Sequence, residues 1–137
     1  MVHEKGWLTA ARRIQDQGYP VVVVNDLRNP SGTQALMLTS NLPFACFDDP
    51  DAAFHHGYKH NFADTEQFTT ARMQGKLARA MDSIVEHLHP RSHDQFFERK
   101  HADNRPLDRT YTDAQGHWEH DAALFQERMR LLQIKYG

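Results

Sequence analysis

Residues 64–89 read DTEQFTTARMQGKLARAMDSIVEHLH, and the assignment of this stretch decides the architecture of the chain. Phe68, Ala71, Gly75, Ala78, Met81, Val85 and Leu88 recur at threes and fours, and Met73, Leu77, Ala80 and Ile84 form a second stripe beside them. This is the 3.6-residue repeat of a helix. An apolar face so wide predicts a central helix contacted on two sides. Asp64 with Gln67 three residues later has the form of a capping box, and Pro90 stops the run.

Toward the N-terminus, Trp7, Ala11 and Ile14 share one face of a helix expected over 5–17. Gly18 suits its C-terminal turn, and Tyr19-Pro20 blocks continuation. Val21–Val24 is β-branched throughout and reads as a strand. The turn signal Asn29-Pro30-Ser31-Gly32 and a second strand over 34–39 complete an antiparallel hairpin. Asp49-Pro50-Asp51 has the form of a helix start, closed after two turns by Gly57.

Toward the C-terminus, Ser92 with Gln95 opens a short helix carrying Phe96 and Phe97, and a polar loop is expected over 102–116. The last helix starts near His117, with Trp118, Ala122, Phe125, Met129, Leu132 and Tyr136 on its core side. The expected fold is α+β, a single domain over 1–137. A small antiparallel β-hairpin or sheet packs against three or more α-helices, with the 64–89 helix central.

Composition narrows the function classes. The chain of 137 residues is 39% hydrophobic, below the ordinary ~45–50%, so its core is modest and its surface polar. A net charge of −2 argues against general attraction to nucleic acid or anionic lipid. Arg12-Arg13 and Arg99-Lys100-His101 read as solvated helix faces. The longest purely apolar stretch is Val21–Val24, far short of the ~20 residues of a membrane span. With no apolar leader in the first six residues, the expectation is a soluble, cytoplasmic protein. Cys46 is the only cysteine, which excludes an internal disulfide; between Phe44, Ala45 and Phe47 it reads as a small buried hydrophobe. There is no Gly-rich phosphate loop, nucleophile elbow or dinucleotide fingerprint.

Histidine is the anomaly. There are ten, eight of them in clusters: His55, His56 and His60; His87, His89 and His93; His117 and His120. Imidazole suits Zn, Ni, Cu or Fe, so the first two clusters are candidate ligands for a divalent transition metal. Gly57 and Pro90 interrupt them, and no established metal-binding spacing is present. Carboxylates group at Asp48-Asp49-Asp51 and at Asp108 with Asp113; helix capping is the reading given to Asp49 and Asp51.

From Ser40 onward the order of features resembles the NADAR family of N-glycosidases. Ser40-Asn41 followed by Phe44 is similar to its early S-N-F segment. Thr65-Glu66-Gln67 with Ala71 resembles its T-x-E-H/Q helix, and Trp118, Met129 and Lys135-Tyr136 its W…M…K-F helix. The resemblance implies an activity on ADP-ribosylated or riboflavin-pathway substrates, with Glu66 as catalytic carboxylate and Trp118 in the pocket wall. Phe68 and Met73 replace the aromatic and lysine that follow the family's glutamate. The family also continues into a Gly/Asn-rich segment beyond the point corresponding to Gly137.

Three functions follow as expectations. The first is a binding or assembly module acting through protein–protein contacts, with a protein partner or a second copy of itself. Two strands make a marginal sheet, which another chain or an unrecognised strand could complete. The second is a histidine-based metal-binding protein, and the third a NADAR-like N-glycosidase.

Overall fold

The computed structural model describes residues 2–27, 36–38, 46–86 and 109–137. The chain divides into two compact units, Met1–Ser40 with Leu77–Pro106 and Asn41–Lys76 with Leu107–Gly137. The architecture is mixed α and β.

The first unit contains β1 (Val2–His3), α1 (Trp7–Gln15), β2 (Val21–Asn25), β3 (Leu36–Leu38) and β4 (Leu77–Glu86). The strand order is β1-β4-β2-β3. β3 pairs antiparallel with β2, from Val21↔Leu38 to Val23↔Leu36. β4 pairs parallel with β2, from Val21↔Leu77 to Val24↔Ala80. The sheet is therefore mixed, with a parallel central pair, and corrects the antiparallel sheet expected. All five residues of β2 are buried. An unbroken β-branched run is what a strand covered on both faces requires, whereas a half-exposed strand alternates. Trp7, Ala11 and Ile14 of α1 pack with Tyr19 against Val22, Val24, Ala80 and Val85. The completing strand comes from within the chain.

That strand overturns the central 64–89 helix. α2 (Ala63–Met73) and β4 divide the stretch between the two units. Gly75, at φ 67°, occupies the left-handed position after α2. Gly75 N–H donates to Arg72 O and Lys76 N–H to Ala71 O, the paired bonds of a Schellman stop. The helical period beyond it is produced by a bulge. The register jumps from Val24↔Ala80 to Asn25↔Ile84, passing over Met81, Asp82 and Ser83. Burial consequently falls on Ala80, Ser83, Val85 and Glu86, a spacing of three, two and one that conceals the strand's alternation. Asn25 Nδ2 donates to the bulged backbone at Met81 O, 3.3 Å away, and the buried Ser83 Oγ of the bulge donates to Trp7 O of α1 at 2.7 Å.

The second unit contains α2, α3 (Arg109–Gly116) and α4 (Trp118–Tyr136). Three expectations are corrected. α2 is preceded by Phe62 in a left-handed conformation with no side-chain cap, because the Asp64 carboxylate instead takes the N–H of Thr65 at 2.8 Å. Residues 46–57 form turns rather than a helix: Cys46 bridges Asp49, and Asp49 Oδ1 accepts the Asp51 N–H at 3.0 Å. α3 occupies part of the expected polar loop, and Ala114 on it is buried. α4 forms as expected, yet Trp118 is 54% exposed while Asp121, Arg128 and Leu132 are buried. The core of this unit is partly ionic.

The expected helix at Ser92 with Phe96 and Phe97, and the candidates His87, His89 and His93, lie outside the described residues. So do Ser40, Asn41 and Phe44. No helix among the described residues is long and apolar enough to cross a membrane.

Candidate functional site

Arg128, on α4 and 3% exposed, organises the ionic core. Its Nε donates to Glu66 Oε2 at 2.7 Å and its Nη2 to Glu66 Oε1 at 2.6 Å. Nη1 and Nη2 donate to Asp48 Oδ2 and Oδ1 at 2.8 and 2.9 Å. Nη2 also lies 3.0 Å from Cys46 Sγ. Tyr58 Oη donates to Glu66 Oε2 at 2.6 Å, and the Cys46 thiol to Asp48 Oδ1 at 3.0 Å. The guanidinium carbon sits 4.5 Å from the centre of the Phe47 ring, a cation–π contact. Lys135 reaches the same segment by donating to Phe47 O.

The electrostatics follow from these contacts. Burial, then the bond to Asp48, pushes the Cys46 thiol up to about 11. The Arg128 guanidinium holds the Asp48 carboxyl well below the usual carboxylate range. Burial and then the bond to Glu66 raise the Tyr58 phenol, so it stays a donor. Burial opposes the Arg128 charge, but bonds to Asp48 and Glu66 outweigh it. Burial, followed by the Arg128 charge, lowers His55 and favours neutral imidazole, the form that binds a metal.

Donor atoms of Cys46, Asp48 and His55 all lie within 4.8 Å of one another. Cys46 is buried, His55 half-buried, and the Asp48 side chain 42% exposed, so the group opens outward past Asp48. The seat of His55 depends on Gly57, where a Cβ would stand 2.8 Å from His55 Nε2 and 3.0 Å from Leu124 Cδ2.

Asp121 holds the adjoining segment. Fully buried on α4, its carboxylate accepts the backbone N–H groups of Lys59, His60 and Asn61 at 3.0, 2.9 and 2.7 Å. His120 Nδ1 is a fourth partner at 2.8 Å. Burial works against the Asp121 charge, but these bonds, the amides of Lys59 and Asn61 foremost, keep its carboxyl well below the usual range.

Of the histidines read from the sequence, His55 joins the donor group. His56 is exposed, its ring 4.8 Å from that of His55. His60 is exposed and contributes its backbone N–H to Asp121. Glu66 is buried under Arg128 and Tyr58. Trp118 packs 4.8 Å from Phe62, which stacks at 5.0 Å on Phe125.

No family model, curated protein or solved structure matches this chain.

From the sequence, Tyr58 and Arg128 carry no reading, Cys46 reads as a small buried hydrophobe, and Asp48 stands only within a run of carboxylates. The one available signal was on α4: Asp121, Phe125, Arg128 and Leu132 recur at four, three and four, which places two charges within an apolar stripe.

Proposed function

We propose that this protein binds a divalent transition metal through Cys46 Sγ, the Asp48 carboxylate and the His55 imidazole. The observation that carries the reading is the convergence of three different ligand chemistries within 4.8 Å. Thiolate, carboxylate and imidazole together suit zinc and its neighbours rather than calcium or magnesium. Tetrahedral zinc spaces its ligands by roughly 3.3–3.6 Å, so side-chain rotation of about an ångström closes the group. Three protein ligands leave a fourth position open, which fits the exposed side at Asp48.

Charge supports the same reading. Asp48 and Glu66 against Arg128 leave one negative charge in the cluster. A divalent ion that converts the Cys46 thiol to thiolate brings the sum to zero, and a neutral cluster is the inexpensive one to bury. Glu66 in this setting anchors Arg128, with both oxygens engaged.

The test is native mass spectrometry and Co²⁺ titration of protein purified without a His-tag. One metal per chain is expected, with a thiolate-to-cobalt charge-transfer band. Cys46→Ser and His55→Ala should abolish both, while His56→Ala and His60→Ala should retain them. Absence of a titratable site in the unsubstituted protein would sink the reading.

A further inference from the structure

A metal site depends on the groups that orient its ligands as well as on the ligands themselves. Arg128 meets both oxygens of Asp48 at 2.8 and 2.9 Å and both oxygens of Glu66 at 2.7 and 2.6 Å. The two carboxylates come from different segments, Asp48 from the 46–49 turn and Glu66 from α2. One planar cation therefore fixes the Asp48 carboxylate relative to a helix.

We infer that Arg128 is the positioning residue of the metal site: its fork holds the Asp48 carboxylate beside Cys46 Sγ in a plane set by the Glu66 anchor. This rests on the metal-binding reading above. The hydrogen inventory explains how a cation can sit so close to the ligands and still leave them usable. Nη2 carries two hydrogens but faces three acceptors, Glu66 Oε1 at 2.6 Å, Asp48 Oδ1 at 2.9 Å and Cys46 Sγ at 3.0 Å. Two are carboxylate oxygens, which make the stronger, charge-assisted bonds. Sulfur is the acceptor left over. Arg128 thus commits its hydrogens to the carboxylates and leaves Sγ open to a metal. Asp48 keeps lone pairs too: of about four acceptor positions the fork uses one on each oxygen, and the third, on Oδ1, is held by the Cys46 thiol and comes free when that proton leaves to solvent.

Lysine in this place would carry the same charge without the fork, as a point donor on a flexible stem. Arg128→Lys therefore separates orientation from charge. Glu66→Gln provides a second route: it keeps the shape at residue 66, removes its charge, and loosens the anchor without altering any ligand.

The deciding experiment is Co²⁺ and Zn²⁺ titration of the full chain, unsubstituted and as R128K, E66Q and R130K, with thermal melts of each. Arg130 pairs with Glu127 on the surface at 2.7 Å and serves as the control. R128K is expected to bind one metal about 10–100-fold more weakly, E66Q to weaken in the same direction, and R130K to match the unsubstituted protein. At saturating Co²⁺ the ligand-field spectrum of R128K should differ, a change that loss of stability alone does not produce. If R128K fails to fold, E66Q decides by the same readouts. Unchanged affinity and spectrum in the folded variants, while the unsubstituted protein binds, would overturn the role of Arg128 alone. Tighter binding by R128K would overturn it as well, making Arg128 a competitor of the metal. No binding by the unsubstituted protein would overturn the metal reading itself.

Discussion

Arg128 bridges α4 to α2 through both oxygens of Glu66, with Nε to Oε2 at 2.7 Å and Nη2 to Oε1 at 2.6 Å, both side chains being buried. A bidentate pair so enclosed is far costlier to break than a surface one, because the surviving charge has no water to replace its partner.

Glu66→Ala should therefore destabilise the second unit strongly, though by less than the ~3–5 kcal/mol of a fully orphaned buried charge, because Asp48 still pairs with Arg128. Glu127→Ala, which removes the partner of exposed Arg130, should leave stability almost unchanged, because water screens the pair. Urea unfolding of both variants checks the contrast, and equal effects would contradict it.

Asp121 carries the clearest pH dependence outside the metal site. Its carboxyl is held well below the usual range by the Lys59, Asn61 and His60 amides and His120. A depressed folded-state pKa contributes stability that is fully present above the unfolded value of about 3.9. That contribution is lost as pH falls through and below this value toward the folded one. Melting curves between about pH 6 and 2.5 should show the unsubstituted protein losing stability through this window. Asp121→Asn should start lower, by roughly 1.5–3 kcal/mol for each charged bond weakened, and decline less. Parallel curves would refute the assignment.

Gly57→Ala introduces a Cβ 2.8 Å from His55 Nε2 and 3.0 Å from Leu124 Cδ2. The His55 ring has to move, so Co²⁺ affinity should fall even where the protein remains folded. Gly116→Ala, at the end of α3 with open space around it, should leave affinity unchanged and be neutral or stabilising by up to about 1 kcal/mol. Isothermal titration of the two variants, beside their melting curves, distinguishes displacement of the ligand from a general glycine effect.

An isolated peptide spanning 64–89 should differ from its form in the protein. Leu77, Ala78, Arg79, Ala80 and Met81 are strong helix formers, and without β2 nothing favours the strand. Short helices are marginal in water, so circular dichroism in trifluoroethanol is the suitable measurement. Helix extending past the 11 residues of α2 is expected, and a β spectrum would contradict it.

The sequence by itself determined the elements whose signal is local. Trp7, Ala11 and Ile14 mark α1, four consecutive valines mark β2, and the α4 repeat marks the last helix. Propensity and period suffice there because each element is continuous and its neighbours do not change its phase. Only the tertiary structure decided β4. Its residues prefer helix, and its bulge at Met81–Ser83 imitates a helical repeat; parallel pairing with β2 outweighs both. The candidate site was hidden for the same reason. His55 was visible as one of ten histidines, but Cys46, Asp48, Glu66 and Arg128 come from a turn and two helices. A linear pattern records spacing along the chain, whereas an ion pair or a ligand group depends on distance in space, and that distance exists only once the segments have folded together.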